Sequence, residues 1–274
     1  MHQVGKLRTE VLRVYFREKD AAYREQELGL LLKQTVPVPQ VYFIGDQDDY
    51  RFAITEFLSG IPLRDLLLSD KPCDLSTIMH EAGAMLAKIQ DYQFPTAGFF
   101  DKDLNIGQAT SQDTCIEFAH QCIKSPMVLK YLPQTTILNI GLSLEKYKSL
   151  LPDESETHLV HAAYDPANIL VNLVDGRWKI TGILDWEFAF SGSILWDVAN
   201  MLRYAHHMPA TYEESFLHGL QETVTLPIHW CKMVHLLNLL SLLDCLGRCN
   251  PEDQPNQCAD ICGLIDHILK KLVL

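Results

Sequence analysis

The sequence predicts an α+β fold of two unequal lobes, a small β-rich N-terminal part and a larger, mainly helical C-terminal part. Three observations predict it. The first 57 residues order as strand, helix, strand, strand, and helical periodicity then dominates from Ser59 onward. A single hairpin signal, Asp175-Gly176, interrupts those helices between two apolar runs. A β-rich lobe joined to a helical one leaves a cleft between them, where ligands usually bind.

In the small part, Glu10–Phe16 (EVLRVYF) is rich in β-branched and aromatic residues and reads as a strand. Asp20 to Gln34 carries Ala22, Leu28, Leu31 and Leu32 among charged neighbours, a helix with Asp20 as N-cap. Pro37 and Pro39 end it. Val41–Ile44 and Arg51–Phe57 read as strands across the turn-rich Gly45 to Asp49. In the large part, Leu75–Gln90 is amphipathic, with Ile78, Met79, Met85, Leu86 and Ile89 on one face. Helices are also expected over Thr114–Ile123, Ile137–Leu151, Trp196–Tyr204, Tyr212–Leu220, His229–Leu246 and Ala259–Leu272. The hairpin strands are Ile169–Leu173 and Trp178–Leu184.

Composition narrows the function classes. The 274 residues, 47% hydrophobic and 21% charged, suit a real core and argue against disorder. No apolar stretch reaches bilayer length, and Met1–Glu10 is polar and charged, unlike a signal peptide. The expected compartment is the cytoplasm, with no membrane partner. Residues 1–30 hold six Lys/Arg against five Asp/Glu, so of the net −12 the remainder carries −13. That acidic body disfavours nucleic acid and favours a cationic ligand, although acidic surfaces also serve solubility alone. The eight cysteines read as reduced thiols, several of them buried. Cys245/Cys249 and Cys258/Cys262, each spaced i, i+4, could face one another as a zinc site, but helical spacing more often means core filler. His206-His207 reads as a solvated pair.

The chemistry concentrates in Leu159–Asn200. His161 opens a loop, Pro166 stiffens it, and Asn168 sits where it enters the first hairpin strand. Asp185 follows the second strand. An amide oxygen and a carboxylate at the mouths of paired strands are hard ligands suited to Mg²⁺.

The run LVHAAYDPANILV, with ILDWE and LWDVA after it, resembles the signature of the aminoglycoside phosphotransferase and choline kinase family. That family has a two-lobed, protein-kinase-like fold, so the resemblance implies an N-lobe over 1–57, a hinge at about 56–59 and a C-lobe over 58–274. It implies ATP or GTP as phosphate donor, Mg²⁺ held by Asn168 and Asp185, and a hydroxyl of a small cationic acceptor (aminoglycoside, choline or aminoalcohol-like). His161 takes the position of the loop-anchoring histidine, and Asp197 that of the aspartate pinning the loop through its amides. Glu187 falls in the acidic patch beside the metal aspartate. Arg13 resembles the phosphate-holding base of the third strand and Glu25 its helix partner. Glu56 and Leu58 fall where a hinge carbonyl and amide would meet the adenine edge.

Two departures bear on activity. The family's H-G-D is His161-Ala162-Ala163, so the catalytic aspartate position is Ala163, which has neither charge nor lone pair. Ala162 reads as the milder change, one small residue for another. Asp165 is the one substitute carboxylate nearby, at best through a water. Gly5 is also the only glycine before the first strand, so no glycine-rich phosphate loop precedes it. The sequence thus supports two readings: a phosphotransferase impaired by Ala163, or a catalytically inactive relative that binds nucleotide or a protein.

Overall fold

The computed structural model describes residues 10–250, 252 and 255–273. Gly5 and the predicted lack of a phosphate loop lie outside them. Strand β1 (Glu10–Tyr15) leads to helix α1 (Ala21–Leu32) and the hairpin of β2 (Val41–Gln47) and β3 (Tyr50–Glu56). The sheet is antiparallel in the order β1-β3-β2, with Arg13 opposite Ala53. The predicted turn at Gly45 to Asp49 is shorter than expected. Pairing runs on to Gln47 opposite Tyr50, and the reversal is Asp48-Asp49, with Asp48 left-handed at φ 53°. Aspartate tolerates that region better than most residues.

Asp20 does not cap α1. It is itself helical and makes no side-chain capping bond. Its carboxylate instead accepts from Arg51 Nη1 at 3.1 Å, a charge-assisted bond that competes with a neutral backbone donor. Leu31, expected inside, is 40% exposed; Ala21, Ala22, Leu28 and Leu32 are buried.

After β3 come β4 (Ile61–Pro62), α2 (Leu63–Leu67), α3 (Leu75–Ile89), β5 (Gly98–Phe100) and β6 (Ile106–Ala109). Then follow α4 (Gln112–Ile123), α5 (Pro126–Tyr131), α6 (Gln134–Tyr147), β7 (His158–Val160), β8 (Ile169–Val174) and β9 (Arg177–Ile183). The chain closes with β10 (Phe190–Gly192), α7 (Leu195–Leu202), α8 (Ala210–Gln221), α9 (Trp230–Arg248) and α10 (Pro255–Val273). Asp74 caps α3 by accepting from the Thr77 N–H at 3.1 Å. The β8–β9 hairpin turns at Asp175 and Gly176, both at positive φ, as an Asp-Gly two-residue turn requires.

This part is less purely helical than its periodicity suggests. It holds a sheet β4-β8-β9 and a four-stranded sheet β6-β5-β10-β7. One large buried cluster includes Leu86, Ile140, Phe216, Leu239 and Ile265, and a small one joins Tyr15, Ala21, Ala22 and Ala53. Leu28, Leu32, Val36 and Val38 belong to the large cluster, so α1 and the loop after it tie the two halves together.

All eight cysteines are free thiols, and only Cys258 is fully buried. Among the described residues no group of three or more His, Cys, Asp or Glu is placed to hold a metal ion. His206 is exposed but stacks on His267, centroids 3.9 Å apart, rather than standing alone in solvent. No helix among the described residues is long and apolar enough to cross a membrane.

Candidate functional site

A cavity of about 480 Å³ opens between β1, α1 and β3 on one side and the β8–β9 hairpin on the other. Val38, Val41, Leu58 and Leu170 give it apolar walls, and Thr55–Leu58 forms one edge, including Glu56. Arg13, Glu25 and Asp185 are its charged lining residues besides Glu56.

Those three charges are directly connected. Arg13 Nη1 lies 3.1 Å from Glu25 Oε1, and Nη2 lies 2.5 Å from Asp185 Oδ1 and 3.5 Å from Glu187 Oε2. Burial alone would lower the Arg13 pKa, but Glu25 and then Asp185 outweigh it and hold it above its ordinary value. Burial pushes the Glu25 carboxyl up, with Arg13 opposing. Glu25 is 9% exposed and accepts from the Tyr15 hydroxyl, so the Arg13–Glu25 pair is not a surface ion pair.

The loop His161–Asn168 is held by its own backbone. The Asp197 carboxylate accepts from the His161 and Ala162 N–H groups at 2.8 and 2.9 Å. Asn200 Nδ2 donates to the Ala162 carbonyl at 2.8 Å. His161 is fully buried against Trp186, ring centroids 4.3 Å apart. Burial lowers its pKa to about 4, with Asp185 and the Leu184 carbonyl opposing, so the ring is neutral at pH 7. The bonding pattern then fixes the tautomer. Nδ1 accepts from the Ala163 N–H at 3.1 Å, leaving Nε2–H to donate to the Leu184 carbonyl at 2.9 Å. Burial lifts Asp197 to about 7, its backbone donors pulling against that rise.

Asn168 and Asp185 come together through the hairpin. Ile169 pairs with Ile183, and the Leu184 N–H donates to the Asn168 carbonyl at 2.8 Å. Asn168 Nδ2 donates to the Ala163 carbonyl at 2.9 Å, so its side-chain oxygen is left as the acceptor. Among the described residues no hydrogen bond engages that oxygen or Asp185 Oδ2. Two uncommitted hard oxygens beside a cleft fit Mg²⁺, which takes few protein ligands and completes its shell with phosphate and water.

Ala163 carries no functional group. Asp165, the substitute carboxylate, has its Oδ1 accepting from the Ala167 N–H at 2.7 Å, and burial raises its pKa.

Two features escaped the sequence reading. Ala162 is left-handed at φ 69°, so replacing glycine there is no mild change. Arg24, which drew no attention, is 4% exposed and donates to the Glu187 carbonyl, two residues past Asp185. A signal for it existed: Ala21, Arg24, Glu25 and Leu28 share one helix face, and charges on an apolar stripe need partners.

A family model for the phosphotransferase enzyme family matches residues 2–230. Hygromycin-B 4-O-kinase from Escherichia coli is 28% identical over 173 residues, 61% of this chain; the match spans about half (47%) of that kinase. Among solved structures, a thermostable mutant of aminoglycoside phosphotransferase APH(4)-Ia, in ternary complex with ADP and hygromycin B, is similar at a TM-score of 0.73. It is 22% identical, with 96% of this chain and 86% of that one covered. The GDP complex of aminoglycoside 2'-phosphotransferase-IIIa is similar at a TM-score of 0.67 and 16% identity, with 95% of this chain and 86% of that one covered. At those identities the structures establish the fold alone.

Proposed function

The chain belongs to the phosphotransferase enzyme family, and from that premise we propose that it binds ATP or GTP with Mg²⁺ in the cleft and phosphorylates a small cationic acceptor slowly. The carrying observation is the lining of the cavity, apolar at Val38, Val41, Leu58 and Leu170 and charged at Arg13 and Asp185. A nucleotide needs that polarity: apolar faces for the base, backbone at its edge, and a cation for the phosphates. Glu56 and Leu58 supply the edge, and Arg13, steadied by Glu25, the cation. Asn168 and Asp185 would hold Mg²⁺, which neutralises phosphate charge when bound. His161 and Asp197 keep the loop rigid through their bonds to its backbone.

The acceptor hydroxyl meets no base at Ala163, so its proton must leave to water, and turnover is slow. An aminoglycoside-like acceptor is favoured by the acidic body of the chain and by the hygromycin-B kinase among its relatives. Choline and other aminoalcohols complete the panel, and the cytoplasm is the compartment that supplies ATP and keeps the free thiols reduced. Ala163 itself favours a second reading, an inactive relative that retains nucleotide binding.

The cleft is tested by thermal shift with ATP or GTP, with and without Mg²⁺. The Asp185→Ala variant should lose the Mg²⁺-dependent part of the shift. An unchanged shift would place the nucleotide elsewhere.

A further inference from the structure

Asp185 is left-handed, φ 70° and ψ 57°, a conformation that even aspartate, more tolerant of it than most residues, adopts at some cost. A left-handed non-glycine residue costs about 1–3 kcal/mol and persists only where its surroundings hold it. The holding groups on its N-terminal side are those of the loop. Leu184 donates its N–H to the Asn168 carbonyl at 2.8 Å and accepts from His161 Nε2 at 2.9 Å.

On the C-terminal side the brace comes from α1. Arg24 Nε and Nη2 both donate to the Glu187 carbonyl, at 3.1 and 2.6 Å. Its Nη1 donates to the Phe100 carbonyl on β5 at 3.0 Å. Glu18 balances the buried charge, accepting from Nη1 and Nη2 at 3.1 and 2.8 Å. One guanidinium therefore joins α1, β5 and the turn after Asp185. The planar guanidinium makes five bonds to these three acceptor groups, more than the three N–H donors of a lysine can supply. The neighbouring residue, Glu25, addresses the same aspartate by another route, through Arg13 and the Asp185 carboxylate.

We propose that Arg24 is a positioning residue for Asp185: by clamping the Glu187 carbonyl it fixes the turn that aims the Asp185 carboxylate at the metal. The assignment rests on the reading of the cleft as a Mg²⁺-nucleotide site. Arg24 does not line the cavity, so it acts on the metal ligand and not on the base or the phosphates.

The test separates those effects. Affinity for ATP and GTP is measured by calorimetry in excess Mg²⁺ and again in EDTA, for the unmodified chain, Arg24→Lys and Glu18→Gln. Outer partners of metal ligands typically change metal affinity about 10–100-fold, so Arg24→Lys should cut the Mg²⁺-dependent gain by at least about tenfold. Affinity in EDTA should stay within about twofold. Glu18 is exposed, and its replacement leaves both carbonyl bonds in place; it should give a smaller loss in the same arm. It also carries the test if Arg24→Lys does not fold. A full Mg²⁺-dependent gain in the folded variants would overturn the assignment. So would an equal fall in both arms that tracks melting temperature, since that is a structural role alone. If the unmodified chain shows no Mg²⁺-dependent gain, the site reading fails and takes this assignment with it, an outcome distinct from the other two.

Discussion

At the residue scale, the two alanines of the loop differ in physical kind. Ala163 carries no functional group, while Ala162 adds strain. An L-residue at φ 69° costs about 1–2 kcal/mol, and glycine there would avoid it while giving back part through a more flexible unfolded chain. Ala162→Gly should therefore raise stability by about 0.5–1 kcal/mol in urea denaturation, with m unchanged. Side-chain size, all the sequence displays, suggested the opposite ranking, because φ is not written in composition. His161 makes the second prediction. Its pKa is about 4 folded against 6.5 unfolded, so its contribution is complete above pH 6.5 and is lost as pH falls through 4. That loss is about 3 kcal/mol. Asp197 runs the other way: raised from 3.8 to about 7, its contribution is complete below 3.8 and lost as pH rises through 7. The two offset each other in the unmodified protein. The stability gap between it and His161→Gln isolates the histidine, and should shrink by about 3 kcal/mol from pH 7 to pH 4.

At the element scale, the tightest seam is the crossing of α3 and α8. A Cβ on Gly83 would lie 2.0 Å from the Phe216 carbonyl, and one on Gly219 would lie 2.0 Å from the His80 carbonyl. Gly83→Ala gains about 1 kcal/mol of helix propensity. Overpacking costs about 1–3 kcal/mol, and more where backbone must move, so the clash wins and the urea midpoint should fall. Gly141 in α6 has nothing within 4 Å, so Gly141→Ala should instead stabilise by up to about 1 kcal/mol. Elements with a strong local signal were legible: the α3 stripe, the Asp175-Gly176 hairpin, and β1 with its β-branched run. The sheet β6-β5-β10-β7 was not. Its strands have three or four residues, and Phe190 pairs with Phe99 and Val160, partners far away in sequence. Such pairing is decided by tertiary contacts, which no local periodicity reports. The Asp20 cap failed for the same reason, since its competitor Arg51 lies 31 positions on.

At the scale of the whole molecule, the site was legible in the sequence because its residues sit in one ordered run. His161, Asn168, Asp185 and Asp197 are brought together by one loop, one hairpin and one helix. Their partners Arg24, Tyr15 and Asn200 were not, because their roles are contacts and not motifs. The same geometry sets up the decisive experiment. Asp197 holds the loop through backbone N–H groups, and Asn168 and His161 bond residue 163 through its backbone alone, so none of these bonds depends on a side chain at 163. Nucleotide affinity should then survive in the chain as it stands while phosphotransfer is slow. Ala163→Asp restores a carboxylate, and general base catalysis contributes about 10²–10⁴-fold, so transfer to at least one of a panel of aminoglycosides, choline and aminoalcohols should rise by that factor. The rise should appear in kcat, with nucleotide affinity nearly unchanged, because the base acts only on the acceptor proton. If the variant transfers to none of the panel while still binding nucleotide, the inactive, nucleotide-binding reading gains. If the unmodified chain already turns over at about 1–100 s⁻¹, an ordinary kinase rate, Ala163 is no lesion. Asp165 must then leave the Ala167 amide to act as base, and Asp165→Asn would abolish that turnover.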